Sequence, residues 1–216
     1  IYICCNDGHI YRVDSQGNTL AYIGATTTIT GIAIGGPSNG TQRYVVSASN
    51  GKLYHSTDFI TWTAISLNGA NTWPATDILF AGGIFVTNTV NQVGGGDNKF
   101  WYSYDGLTWV GSTVVNYTTV PSVVKMAYGK GVWLAVTVWD QLLTSTNGKD
   151  WVNSGIQPIS GNIQPTDIIF DQYFIVTALG GKYAYSTDMG ATWTQGNTSP
   201  QTNDLLKVRS YGGTIM

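Results

Sequence analysis

The chain contains no glutamate. Its 12 acidic residues are all aspartate, set against 10 basic residues of which only Arg12, Arg43 and Arg209 are arginine. Charged residues make up 10% of the 216, against about 25% in an ordinary globular domain. Each shortage excludes something. A mechanism that needs a glutamate is impossible here. A net charge of −2 offers no cationic surface to a phosphate backbone, so nucleic acid is not an expected partner. No apolar run reaches the ~18 residues of a membrane-spanning helix, so no membrane insertion is expected. The scarcity of Glu, Lys and Arg removes most strong helix formers. Cysteine is limited to Cys4 and Cys5. Adjacent residues of a strand point to opposite faces, so a bond between them would be strained, and both read as reduced, half-buried thiols.

What is abundant is glycine (27), tyrosine (13) and tryptophan (8), with Thr, Asn and Ser at the polar positions. This composition favours strands and turns, and an all-β chain is expected. One segment recurs: Ser56-Thr-Asp58-Phe-Ile-Thr61-Trp62, Ser103-Tyr-Asp105-Gly-Leu-Thr108-Trp109, Ser145-Thr-Asn147-Gly-Lys-Asp150-Trp151 and Ser186-Thr-Asp188-Met-Gly190-Ala-Thr192-Trp193. A degenerate copy surrounds Asp14 and ends at Leu20. The anchors at positions 20, 62, 109, 151 and 193 lie 42, 47, 42 and 42 residues apart. Before each anchor come two apolar strands separated by a turn, as in Ile78-Leu-Phe80 and Ile84-Phe-Val-Thr87.

Each unit of ~43 residues thus reads as four short strands, the period of a propeller blade. The expected fold is all-β, a five-bladed β-propeller of four-stranded antiparallel blades filling 1–216 as one domain. The blades fall at 28–73, 74–120, 121–164 and 165–204, and the last combines 205–216 with 1–27, so that both chain termini close it. Its first strand is expected at Leu206–Tyr211.

The repeated segment resembles the Asp-box, or bacterial neuraminidase repeat, Ser-x-Asp-x-Gly-x-Thr-Trp. Ser186–Trp193 matches it in full; the copies at Ser103 and Ser145 are one residue shorter, the copy at Ser56 lacks the glycine, and the copy at Asp14 lacks Ser and Trp. The resemblance implies that Asp14, Asp58, Asp105, Asn147 and Asp188, with Trp62, Trp109, Trp151 and Trp193, cap the hairpins between third and fourth strands and are structural. An Asp or Asn side chain accepts backbone N–H groups one to three residues on, and glycine supplies positive φ.

In a meander, alternate turns share a face. The turns between second and third strands, and the crossovers between blades, therefore lie opposite the boxes. There the chain places Trp139, Asp140, Trp73, Asn71, Tyr117, Asn116, Asp97 and His9. Aromatic rings beside short polar side chains suit a sugar, whose apolar face stacks while its hydroxyls hydrogen-bond. Each aromatic has a second reading as a seal between blades, and Trp73-Pro74 as a stiffener of its crossover. The insertion Asn91–Asn98 carries three glycines and no spaced acidic cluster, so no metal site is assigned.

The sialidases that share the Asp-box need an arginine triad, a glutamate-activated tyrosine and a Phe/Tyr-Arg-Ile-Pro segment, and this chain lacks that set. Asp77 and Asp167 open matching first strands in Thr-Asp-Ile triplets and read as structural. The expectation is therefore a non-catalytic binding module without cofactor or metal, recognising cell-surface glycans or a similar receptor. Its low charge suits an extracellular or virion surface, as part of a larger attachment protein with other subunits. The alternative is a structural protein–protein or virion decoration propeller; a sialidase-like glycoside hydrolase ranks below both.

Overall fold

The computed structural model describes the chain except residues 16, 68–72, 91–98, 116–120, 199–202, 212, 213 and 216; of 211, 214 and 215 only the backbone is described. Among the described residues there are strands and turns but no helix. Contacts divide the chain into two units, Ile1–Ser112 and Thr113–Met216.

The first unit holds three sheets. The first sheet is β1 (Tyr2–Cys4), β2 (His9–Asp14) and β3 (Gly17–Tyr22). The second is β4 (Ile29–Gly35), β5 (Arg43–Ala48), β6 (Lys52–Ser56) and β7 (Thr63–Ser66). The third is β8 (Ala75–Ala81), β9 (Ile84–Thr89), β10 (Lys99–Ser103) and β11 (Val110–Gly111). In the second unit, the fourth sheet comprises β12 (Thr113–Val115), β13 (Val123–Gly129), β14 (Val132–Thr137), β15 (Leu142–Ser145) and β16 (Asp150–Asn153). The fifth is β17 (Pro165–Phe170), β18 (Phe174–Ala178), β19 (Lys182–Ser186) and β20 (Thr194–Asn197). A two-stranded ribbon follows, β21 (Ser210–Tyr211) and β22 (Thr214–Ile215).

Within the second to fifth sheets neighbouring strands run antiparallel, save one. That exception is β12, which adds parallel to the outer edge of β16 and gives the fourth sheet five strands where four were expected. Its residues Thr113-Val-Val115 alternate, and their unpaired edge finds the outer strand of the sheet that follows rather than continuing a loop.

The second strand of each repeat carries the core. All of β9 and β18 is buried, as are Val45–Ala48 and Trp133–Thr137. Strands buried on both faces read as continuous apolar runs, and sheets of this kind must be covered on both sides. Val46, Ala48, Tyr54 and Phe59 pack against Ile10 and Ala21 of the first sheet and Ile23 just after it. Val45 and Leu53, on the other face, pack against Ile78 and Phe85 of the third. In the second unit Leu134, Val136 and Leu142 meet Ile168, Phe174 and Val176 in the same way.

Two devices fix the spacing of neighbouring sheets. A β-carbon on Gly35 would lie 2.2 Å from the Phe80 ring, and one on Gly129 would lie 2.1 Å from the Phe170 ring. Each glycine is thus the seat of a phenylalanine from the next sheet. Each first strand also carries a β-bulge at one position, occupied by Thr30, Thr76, Val124 and Thr166. The Thr30 hydroxyl donates to the Ala75 carbonyl at the start of the next sheet (2.7 Å), and Thr166 donates to the Leu205 carbonyl.

The segment after the fifth sheet departs from expectation. Of Leu206–Tyr211 only the last two residues are strand. Leu205 does begin as a next-sheet strand would, its N–H donating to the Ala178 carbonyl as Ile29 N–H donates to Cys5. Beyond it the ladder gives way to a side chain. The buried Asp167 carboxylate accepts Val208 N–H (3.2 Å) and pairs with the Arg209 guanidinium (2.9 Å).

Candidate functional site

The four repeated segments form hairpin turns with one hydrogen-bond pattern. The Ser56 hydroxyl donates to Asp58 (2.8 Å) and accepts Phe59 N–H (2.8 Å), while Asp58 Oδ1 accepts Ile60 and Thr61 N–H (2.8 and 2.7 Å). Asp105 accepts Leu107 and Thr108 N–H, and Asn147 accepts Lys149 and Asp150 N–H, at 2.8–2.9 Å. Asp188 accepts Thr192 N–H (2.8 Å) and its hydroxyl (2.6 Å). The indole N–H of Trp62, Trp151 and Trp193 each donates to a backbone carbonyl three residues back, at 3.1 Å. These aspartates are therefore occupied with their own backbone. The Thr61 and Ile60 amides hold Asp58 well below the usual carboxylate range. Asp188 is lowered to about 2 by the Thr192 hydroxyl and amide and by Ser186. At Asp105 burial pushes the pKa up, but the Thr108, Leu107 and Ser103 donors outweigh it and the net shift is downward. Asp14 instead pairs with Arg12 (3.1 Å).

On the opposite turns, the residues singled out from sequence separate. Asn71, Tyr117, Asn116 and Asp97 lie outside the described residues. Trp73 is half-buried, and the carbonyl of its neighbour Pro74 accepts Val90 N–H (2.9 Å), tying the crossover to the end of the second strand. Thr28, Ser122 and Gln164 make the equivalent bond in the second, fourth and fifth sheets. The His9 ring packs on Tyr22 with centroids 4.8 Å apart and planes tilted by 34°, and its Nδ1 meets Asp7 at 3.1 Å. The His9 amide holds Asp7 below its usual pKa, helped by the imidazole.

Trp139 and Asp140 come together in the β14–β15 turn, but they face different surroundings. Trp139 is 58% exposed, the one tryptophan so placed among the described residues. Asp140, expected beside it at the surface, is fully buried. Its φ is +55°, at the position that Gly8, Gly51 and Gly181 fill in the other described turns with φ of +70° to +88°. Asp is among the few residues that tolerate this left-handed conformation. There its carboxyl turns inward and accepts Ile159 N–H at 3.0 and 3.3 Å. Burial raises its pKa to about 7, with the Ile159 N–H opposing. The turn is otherwise closed by Asp140 N–H to Thr137 carbonyl (3.0 Å) and Gln141 N–H to Thr137 Oγ1 (3.1 Å). The exposed indole is thus mounted on a turn fixed on three sides.

A cleft that sequence reading missed lies on the fifth sheet. It has a volume of about 760 Å³ and is lined chiefly by Tyr173, Ile175, Tyr183, Tyr185, Leu205 and Lys207. Ile175 and Tyr183 occupy the ladder positions of Val45 and Leu53, which are fully buried in the second sheet. The signal was present in Lys182-Tyr-Ala-Tyr185, where alternation places two tyrosines on one face. Among the described residues no cluster of three or more His, Cys, Asp or Glu side chains is placed to hold a metal.

No family model matches the sequence, and no curated relative does. Solved structures do match. A catalytically inactive virginiamycin B lyase from Staphylococcus aureus, solved with quinupristin, aligns with a TM-score of 0.73 at 12% identity, over 97% of this chain and 69% of the lyase. YCF48 bound to D1 peptide gives 0.61 at 14% identity over 91% of this chain. The chain spans 63% of the length of that YCF48. The WD40 β-propeller domain of Doa1 gives 0.59 at 12% identity, over 91% of this chain and 65% of that one. A lyase and a peptide-bound protein both occur among these neighbours, and at such identities the likeness concerns architecture alone: the chain has a β-propeller fold.

Proposed function

We propose that this chain is a non-catalytic binding module of the Asp-box propeller type that recognises cell-surface glycans through the face carrying Trp139. The observation that carries the reading is the exposed indole on its fixed turn. A rigid aromatic platform loses little conformational freedom on binding, and a pyranose ring stacks on it through its C–H face. The box aspartates are unsuited to catalysis because their oxygens are already committed to backbone donors and their pKa values lie low. The low charge fits a partner rich in hydroxyls, on an extracellular or virion surface. A glycan array probed with the intact chain and with Trp139→Ala tests the reading. Bound glycans that vanish with the variant support it; an empty array, or binding unchanged by the variant, rejects it.

A second reading is a protein-interaction module, favoured by the tyrosine-lined cleft of the fifth sheet. Its YCF48 neighbour was solved with a peptide, and aromatic clefts suit peptide side chains. Loss of peptide-array binding in Tyr183→Ala, with Trp139→Ala unchanged, separates this reading from the first.

A further inference from the structure

Asn-Gly pairs stand at residues 39, 50, 68 and 147, all but the third among the described residues. An asparagine followed by glycine is open to attack from its own backbone. The glycine nitrogen can close a five-membered ring on the asparagine Cγ, and glycine has no β-carbon to shield that nitrogen. How firmly the fold holds the side-chain amide and the nitrogen decides whether the ring closes. Asn147 is held at every point. Its Oδ1 accepts Lys149 and Asp150 N–H (2.8 and 2.9 Å), its Nδ2 donates to Asp150 (2.8 Å), and Gly148 N–H donates to the buried Ser145 hydroxyl (2.8 Å). Asn50 is held at both ends of its amide: Oδ1 accepts Lys52 N–H (3.1 Å), Nδ2 donates to the Tyr54 hydroxyl (2.8 Å), and Gly51 is buried. Asn39 is not held. It sits in the loop between β4 and β5, where residues 37–42 are all exposed. Its side chain has no hydrogen-bond partner among the described residues, and the single bond within the loop runs from Gly40 N–H to the Pro37 carbonyl (2.9 Å).

We propose that Asn39 is a site of spontaneous covalent modification, converting through a succinimide to aspartate and isoaspartate, while Asn50 and Asn147 of the same folded chain stay amides. The Gly40 nitrogen gives its proton to hydroxide and attacks the Asn39 Cγ. The new N–Cγ bond closes the ring, the Cγ–Nδ2 bond breaks, and Nδ2 leaves as ammonia with a proton taken from water. A second step adds water to the ring. Breaking the N–Cγ bond gives aspartate, and breaking the bond from the nitrogen to the main-chain carbonyl gives isoaspartate. One water enters and one ammonia leaves, with no oxidant or reductant. The turn can reach the ring geometry by opening one solvent-exposed bond, whereas Asn50 must give up two side-chain bonds and Asn147 must dismantle its box turn. The product adds one negative charge to a chain of net charge −2 and, as isoaspartate, one methylene to the backbone of the β4–β5 loop. The site is independent of either binding reading.

Peptide mapping by mass spectrometry tests it on the whole chain, incubated at pH 8.5 and 37 °C, with isoaspartate scored separately from aspartate. In the folded protein residue 39 should convert at least about tenfold faster than residues 50 and 147, with isoaspartate among its products. In urea the three rates should converge, because each asparagine then meets a glycine nitrogen that nothing holds. Equal rates at the three positions in the folded chain overturn the proposal, and so does aspartate at residue 39 without isoaspartate, since direct hydrolysis makes no ring. Gly40→Ala, at a position that needs no positive φ, should slow conversion about tenfold by shielding the attacking nitrogen. An unchanged rate in that variant also overturns the route, and the comparison of folded with urea-treated native chain decides even if the variant does not fold.

Discussion

Phe59 holds a backbone angle (φ +69°) at a place where the matching residues are Gly106, Gly148 and Gly190, all at φ of +70° to +88°. Its ring is fully buried, 5.2 Å from Tyr44 and 5.8 Å from Tyr2, with the Arg12 guanidinium 5.0 Å above it. Two effects oppose each other. The left-handed conformation costs about 1–2 kcal/mol for a residue with a β-carbon, whereas deleting a buried phenylalanine costs about 3–5 kcal/mol. Packing wins, so the residue stays. The ranking of variants follows: denaturant unfolding should give stability in the order Phe59, then Phe59→Gly, then Phe59→Ala, with Gly about 1 kcal/mol above Ala. In an ordinary strand or helix that order reverses. A second residue-scale prediction uses Asn147, which shows that an amide oxygen can accept the same two turn amides as an aspartate. Asp188→Asn should therefore keep the turn but change its acid response. The native Asp188 has a folded pKa lowered to about 2, so its stabilisation is present above pH 4 and lost as pH falls toward 2. Thermal melts at pH 7, 4 and 2.5 should show a shallower acid limb in the variant; parallel limbs would remove Asp188 from the acid response.

At the scale of elements, the bulged first strands form a set with its own internal control. The bulge hydroxyls pair with the facing second-strand residue: Thr30 with Ser47 (2.8 Å), Asn88 with Thr76 (2.6 Å), Thr166 with Thr177 (3.1 Å). In the fourth sheet both positions are valine, Val124 and Val136. The pairing is therefore polar with polar or apolar with apolar, as burial of an unmatched hydroxyl demands. Thr30→Val should cost about 1–3 kcal/mol, since it strands the buried Ser47 hydroxyl and the Ala75 carbonyl. Adding Ser47→Val should recover part of the loss, and strictly additive effects in a double-mutant cycle would refute the coupling. The same elements explain what the sequence made legible. Box turns and alternating strands were readable because their determinants are local: Ser56 and Asp58 bond within five residues of each other's backbone. The parallel addition of β12 was not readable, because its partner β16 begins 37 residues after Thr113 and no turn specifies the pairing. Likewise, Asp140 looked like a surface turn residue beside Trp139, and only its bond to Ile159, 19 residues away, turns it inward. Tyr183 stands where Leu53 is core, and alternation alone does not tell a covered face from an open one.

For the molecule as a whole, the decisive quantity is how little charge it carries: 10 basic and 12 acidic residues in 216. Several of these are already neutralised locally, as Arg12 is by Asp14 and Arg209 by Asp167. Long-range steering of a partner therefore has little to act on, and recognition rests on aromatic contact and short-range hydrogen bonds. Salt separates these modes cleanly. A protein that binds by neutralising six to ten phosphates loses about 10³–10⁵ in affinity between 50 and 200 mM salt. Stacking on Trp139, or insertion into the tyrosine cleft, releases no counterions. Once a ligand is found, its affinity measured by calorimetry at 50 and 500 mM NaCl should change by less than about threefold, and Trp139→Ala or Tyr183→Ala should weaken it equally at both salts. A tenfold or larger loss at high salt would mean that scattered lysines such as Lys207 and Lys182 do the recognising, and that the aromatic residues serve only to pack sheets.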